Sequence, residues 1–235
     1  MLPRALTAGE ILRAWEVGST LHALDRAMVL CAFAAPDVDR QSLTALSLGD
    51  RDALLLALRQ GTFGDRIEAV AECDRCSALL EFSITADMLK VETPAGEARV
   101  STGDRELRLR RLDSRDLAAV AGVADPALAR QMLIERSVVG TVGPLSAAEQ
   151  ALVAARLGEL DPQADLVFDL TCSECQHRFP VPLDLSAFLW SEIAIEARRL
   201  MQEVAALASA FKWSERDILS MGRKRRQLYL ELAEA

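Results

Sequence analysis

Residues 67–84 read Ile67-Glu-Ala-Val-Ala-Glu-Cys73-Asp-Arg-Cys76-Ser-Ala-Leu-Leu80-Glu-Phe82-Ser-Ile84, and residues 166–183 read Leu166-Val-Phe168-Asp-Leu170-Thr-Cys172-Ser-Glu-Cys175-Gln-His-Arg-Phe179-Pro-Val181-Pro-Leu183. The second stretch repeats the first 99 residues later, cysteine for cysteine. Apolar residues alternate before each Cys-x-x-Cys, at Ile67/Ala69/Ala71 and Leu166/Phe168/Leu170. They alternate again after it, at Leu80/Phe82/Ile84 and Phe179/Val181/Leu183. A period of two on both sides of a Cys-x-x-Cys predicts strand, tight turn, strand. That is the pattern of a zinc knuckle, and two knuckles can supply one four-thiolate site.

The repeat continues upstream. Ser47-x-x-Asp50 opens the apolar run Leu54, Leu55, Leu56, Leu58, and Ser146-x-x-Glu149 opens Leu152, Val153, Leu157 at the same offset. Both resemble capping boxes, in which the serine accepts a backbone N–H and the carboxylate reaches back. The prediction is a duplicated helix-plus-hairpin unit with pseudo-twofold pairing.

Cys73, Cys76, Cys172 and Cys175 suit tetrahedral zinc, because strand-flanked Cys-x-x-Cys turns present both sulfurs to one point. Thioredoxin-like chemistry would want the pair at a helix N-terminus, which lowers the thiol pKa, and here strands flank it. Two readings stay open from spacing alone: the knuckles close one shared site, or they stand apart without metal. Four thiolates leave no open position for catalysis. The chain holds two histidines, and no Ser-His-Asp arrangement, phosphate-cradling glycine loop or His-Glu-x-x-His can be read from it. His177 is a weak spare ligand expected at the surface, and His22 is expected in surface or packing roles. The fifth cysteine, Cys31, lies in the apolar run Ala27–Ala35 and is expected to be a buried small hydrophobe.

Apolar residues at 51% and charged residues at 26% describe a globular chain able to bury a sizeable core. The longest apolar run is too short to span a bilayer. Thr7-x-x-Glu10, close to the N-terminus, reads as a helix cap and not as a signal-peptide core, so a cytoplasmic location is expected. Cysteines in Cys-x-x-Cys pairs there favour metal over disulfides. A net charge of −8 argues against a general nucleic-acid binder. Two basic runs stand out locally, Arg108/Arg110/Arg111 and Arg223-Lys224-Arg225-Arg226. The first is read as a solvated strand edge. The second is read as capping the preceding helix or docking an acidic partner.

Elsewhere the N-terminal 40 residues read as helices broken at Gly18-Ser19 and ended by Pro36-Asp37. The turn-rich stretch 93–104 brackets short strands at Ala98–Val100 and Glu106–Leu112, and Asp113 and Asp125-Pro126 each start a helix. A linker, Gly140-Thr-Val-Gly-Pro144, leads into the second repeat. From Phe188 a long helix runs with Ile193, Ala197, Leu200, Val204 and Leu207 on one stripe. Ser214 caps the next helix, where Trp213 is placed to staple onto Ile218, and a last helix follows Gly222.

The tail from Glu203 to Leu232, with Phe211-Lys-Trp213-Ser214, Arg223-Lys-Arg-Arg226 and Tyr229-Leu230, resembles a family of phage baseplate proteins. These belong to contractile tails of the T-even kind and related contractile injection systems. Leu46–Arg59, Phe63-Gly-Asp-Arg66 and both knuckles resemble the same family, so the likeness covers most of 43–235. Members often carry His where this chain has Ala205 and Pro where it has Gly222. The resemblance implies a non-enzymatic baseplate component, or an assembly factor, whose partners are hub or wedge proteins. It leaves open whether the chain acts only during assembly in the cytoplasm or stays in the finished particle. No small-molecule substrate, membrane or nucleic-acid partner is expected. The alternative is a zinc-containing DNA-binding transcriptional regulator using the C-terminal helices.

The expected fold is α+β: duplicated helix and zinc-knuckle β-hairpin units with helical N-terminal and C-terminal regions. The expected segments are 1–46 (helical), 47–89 (first helix-knuckle repeat), 90–145 (strand-helix insert), 146–188 (second repeat) and 189–235 (helical tail).

Overall fold

A computed structural model describes residues 4–94, 98–102, 105–140 and 143–234. The turn-rich stretch 93–104 and the linker 140–144 therefore lie partly outside the described residues. The chain runs through α1 (Ala8–Gly18), α2 (Ala23–Ala34), α3 (Arg40–Thr44), α4 (Leu48–Phe63), β1 (Arg66–Glu72), β2 (Leu79–Thr85), β3 (Ala98–Ser101) and β4 (Glu106–Leu109). It continues through α5 (Ser114–Val120), α6 (Pro126–Ser137), α7 (Ala147–Leu160), β5 (Leu166–Thr171), β6 (Arg178–Leu183), α8 (Leu185–Phe211), α9 (Glu215–Ser220) and α10 (Arg223–Glu234). The fold is α+β with hairpin units, as the periodicities predict.

Helix starts follow side-chain chemistry. Reciprocal capping boxes form at Thr7/Glu10, Asp113/Asp116 and Ser146/Glu149, each satisfying two backbone donors that the first turn leaves free. His22 is the N-cap of α2, its Nδ1 accepting the Leu24 N–H at 3.3 Å. At α4 Ser47 accepts the Asp50 N–H, but the carboxylate completing that turn is remote: Asp161 accepts the Gly49 N–H at 2.9 Å. This close approach needs glycine, since a Cβ at position 49 would lie 2.1 Å from an Asp161 oxygen. The helix of the first repeat is thus capped from the C-terminal end of the second repeat's helix. The long helix α8 starts at Leu185, earlier than the sequence reading, because Asp184 accepts the Ala187 N–H.

Each repeat forms a hairpin, as the alternation predicts. Ile67 pairs with Ile84, Ala69 with Phe82 and Ala71 with Leu80. Leu166 pairs with Leu183, Phe168 with Val181 and Leu170 with Phe179. The apolar alternates point inward and the other alternates are mostly exposed.

Three apolar clusters hold the molecule together. The largest joins α1, α2, α4 and α8 to the bases of both hairpins, with Leu30, Leu55, Leu58, Leu189, Ile193 and Leu200 fully buried. Burial of each such side chain contributes about 1.5–3 kcal/mol. Cys31 lies in this core, fully buried, and burial pushes its thiol up to about 12. The second cluster packs β3, β4 and α6 against α7 through Val100, Leu107, Leu109, Ile134 and Val153. The duplicated helices therefore serve different cores, α4 the first and α7 the second. The third cluster surrounds the cysteines.

The arginines after β4 depart from their expected role as a solvated edge. The Arg110 guanidinium clasps Asp116 through two bonds of 2.6 and 2.8 Å, and Arg136 Nε reaches the same carboxylate at 2.8 Å. Arg111 donates to the Pro94 carbonyl and faces Asp50. Asp116 is 1% exposed. Burial alone would raise its carboxyl, but Arg110, the Asp113 N–H and Arg136 outweigh burial and hold it down at about 2. A carboxylate depressed below its unfolded value of about 3.9 stabilises the fold above that pH and loses the contribution as pH falls toward 2. Asp116→Asn is therefore expected to lower stability at neutral pH and flatten the loss between about pH 4 and pH 2. Denaturant melts across that range check this; an unchanged acid slope would contradict it.

Candidate metal centre

The two knuckles are superimposable in their bonding. Cys73 N–H donates to the Ala78 carbonyl at 2.9 Å, and Ser77 N–H donates back to the Cys73 carbonyl at 2.9 Å. In the second copy Cys172 N–H donates to the His177 carbonyl at 2.9 Å and Gln176 N–H to the Cys172 carbonyl at 3.0 Å. Ser77 and Gln176, equivalent positions, take left-handed backbone angles of φ 56° and 58°. For residues other than glycine that conformation costs about 1–2 kcal/mol, so each turn is held by the strands around it.

The hairpins bring the four cysteines to one point. Every Sγ lies within 4.8 Å of every other. Across the pair, Cys73 is 3.7 Å from Cys175 and Cys76 is 3.6 Å from Cys172. All are free thiols, with Cys73 and Cys172 buried, Cys175 half-buried and Cys76 exposed. Phe179, Leu80, Leu170 and Val181 pack around them. Residues outside the cysteines also join the knuckles: His177 Nε2 is 3.0 Å from Asp74 Oδ1 of the first copy, and its ring lies parallel to Phe179. The half-exposed histidine is thus a cross-knuckle contact, which its spacing from Cys175 alone does not reveal.

Backbone N–H groups point at the sulfurs. Those of Cys175 and Glu174 outweigh burial and help draw the Cys172 thiol down to about 7. Cys76 receives the Ala78 N–H, yet the crowding thiols of Cys175, Cys172 and Cys73 hold it up at about 12. Four sulfurs this close cannot all ionise without a cation between them, and with one they become a four-thiolate cage. These four residues could hold a metal ion.

The C-terminal helices form the other feature that the sequence marks out. Arg226 is buried, not solvated: its Nε donates to Glu203 of α8 at 2.9 Å and its Nη1 to the Met221 carbonyl just beyond α9. This carries out the capping role expected of the basic run. Arg223, Lys224 and Arg225 stay exposed, with Arg225 set over the Tyr229 ring at 5.6 Å. Trp213 is held by aromatic partners from α8 and α10. Its ring stacks on Phe211 at 4.6 Å and meets Tyr229 edge-on at 4.7 Å, because Lys212 in the left-handed region reverses the chain after α8. Ile218 is buried.

Fold and site together define an α+β chain whose duplicated hairpins gather one set of four cysteines. Residues 26–132 match the family model of the T4 bacteriophage base plate protein, which bears out the resemblance to a phage baseplate family. The matched segment runs from α2 into α6 and includes the first knuckle; the second knuckle and the tail lie beyond it. No curated protein and no solved structure matches the chain. Among the described residues no helix is long and apolar enough to cross a membrane.

Proposed function

We propose that the chain is a structural component or assembly factor of a contractile-tail or injection-system baseplate, stapled by a structural zinc ion, and that it has no enzymatic role. The observation that carries the baseplate reading is the family match over residues 26–132. The zinc reading rests on the cysteine geometry. A tetrahedron with metal–sulfur distances of about 2.3 Å has sulfur–sulfur edges of roughly 3.8 Å. The cross-knuckle distances of 3.6 and 3.7 Å fit that edge. Cys73, Cys76, Cys172 and Cys175 would fill the coordination sphere and leave no open position for a reacting water, as in closed structural sites. The metal would clamp the 47–89 and 146–188 repeats together, with 90–145 packed on the second repeat's helix and the helical 1–46 and 189–235 regions packed on the first repeat.

Partners in this reading are hub or wedge proteins, met in the bacterial cytoplasm during assembly. The DNA-binding alternative is weakened by Arg226, which is withdrawn into the ion pair with Glu203. Affinity capture of the tagged chain from its host during tail assembly tests the proposal. Recovery of sheath, tube, hub or wedge proteins is expected. Recovery of none of them, under conditions that keep baseplates intact, would overturn it.

A further inference from the structure

The two hairpins are alike in register but not at their outer edges. In the first, the bonds from Cys73 to Ala78 and from Ala86 to Asp65 set which residues face the partner strand. With that register, Leu80, Phe82 and Ile84 turn their N–H and C=O groups toward β1, while Leu79, Glu81 and Ser83 turn theirs outward. In the second hairpin, the bond from Cys172 to His177 sets the same phase, so Arg178, Pro180 and Pro182 point outward. Proline has no N–H to offer, and the outer edge of β6 is closed to strand addition. The equivalents of Pro180 and Pro182 in the first hairpin are Glu81 and Ser83. No described residue hydrogen-bonds to the backbone of Leu79, Glu81 or Ser83.

The other two edges are blunted in other ways. The outward residues of β1 include Arg66, Glu68 and Glu72, with Arg66 and Glu68 in an ion pair. On β5 the outward Asp169 is held by Arg178 at 2.7 Å. Glu81, at the centre of the β2 edge, has no ion-pair partner among the described residues. Beside it Leu79 is 72% exposed, and Val70, the cross-strand partner of Glu81 on the same face, is 61% exposed.

We infer that the outer edge of β2 is a docking site for an extended segment of a partner chain, which adds a third strand to the first hairpin. The segment is of apolar-x-basic pattern: an apolar side chain against Leu79, a lysine or arginine opposite Glu81. Main-chain bonds to Leu79, Glu81 and Ser83 supply the pairing, and the alternating side chains supply selectivity. A second copy of this chain fits poorly. Antiparallel pairing of β2 with itself about Glu81 would set two carboxylates directly opposite each other, which is destabilising. The inference holds whatever assembly the chain serves, so it stands or falls apart from the baseplate reading.

The repeat itself supplies the test variant. Glu81→Pro/Ser83→Pro copies the prolines that β6 already carries at the equivalent positions, and the hairpin is expected to keep its fold. The probe is a fluorescently labelled eight-residue peptide with valine and lysine in turn at every second position and threonine between them, with glutamate for lysine in the comparison peptide, titrated onto the full chain. The lysine peptide is expected to bind and the glutamate peptide to bind at least tenfold more weakly. The proline variant should lose at least tenfold in affinity, and Glu81→Lys should reverse the preference. Hydrogen exchange on the unaltered chain gives a second readout independent of any variant: the amides of Leu79, Glu81 and Ser83 should slow when the lysine peptide is added. Equal binding by the proline variant, protection on β1 or β5 instead, or protection that grows with chain concentration in the absence of peptide would each overturn the proposal.

Discussion

Removing the metal proposed for the four-cysteine site is expected to unfasten the two hairpins while leaving the main helical core standing. Structural zinc contributes on the order of 10 kcal/mol or more of apparent binding free energy at neutral pH. A whole domain is stable by only about 5–15 kcal/mol, so the metal's share is large. The cysteines also join positions 99 residues apart, and a cross-link closing a loop of that size constrains the unfolded chain by roughly 5 kcal/mol. Chelation should therefore abolish the cooperative melt of the hairpin pair and of the β3–α7 cluster looped between them. The α1, α2, α4 and α8 cluster touches the cysteines only through the hairpin bases, so most helical signal should persist. Cys73→Ser and Cys172→Ser should have similar effects, and the double variant should be little worse than either, because one site lost twice is still one site. Cys31→Ser, placed in the helical core, should leave metal content unchanged. Circular dichroism melts with and without chelator check the stability effects, and metal analysis checks Cys31→Ser; additive losses from the two single variants would show separate sites.

The second large effect is expected at Glu203. Its carboxylate receives Arg226 at 2.9 Å and also faces Arg199, and both Arg226 and Glu203 are nearly sealed from water at 4% and 8% exposure. Glu203→Ala leaves the Arg226 guanidinium buried without its counter-charge. Breaking one side of such a pair typically costs about 3–5 kcal/mol, whereas replacing both sides with apolar residues of similar size is often nearly neutral. Glu203→Ala should therefore free α10 from α8 and expose the segment 212–222, with α9 inside it, to protease. Glu203→Leu/Arg226→Met should restore much of the protection. Limited proteolysis with denaturant melts separates the cases. Equal damage from the single and double variants would show that the site depends on charge for more than docking.

The site was largely legible in the sequence because its signals are local. A period of two flanking Cys-x-x-Cys specifies a hairpin, and a second copy at constant offset implies that both turns have the same shape. Helix starts at Thr7, Asp113 and Ser146 were legible for the same reason: a cap needs only residues three apart. What escaped was long-range pairing. Nothing near Gly49 announces that its N–H will be met by Asp161, and nothing near Arg110 announces the Arg136 that shares Asp116. Alternation made Arg108, Arg110 and Arg111 look like one strand edge, yet β4 stops at Leu109 and the next two arginines turn to carboxylates. Trp213 was read through its own helix start, while its partners Phe211 and Tyr229 come from the helices on either side. The separate cores of α4 and α7 escaped too, since two similar apolar stripes do not reveal which neighbours will cover them.

The central claim is that two knuckles close one metal site, and native mass spectrometry of the chain purified without chelator tests it most directly. One zinc per chain is expected, retained in Cys31→Ser and lost entirely in Cys73→Ser and in Cys172→Ser. Two zinc ions per chain, or a metal-free chain whose melting is indifferent to chelator, would contradict it.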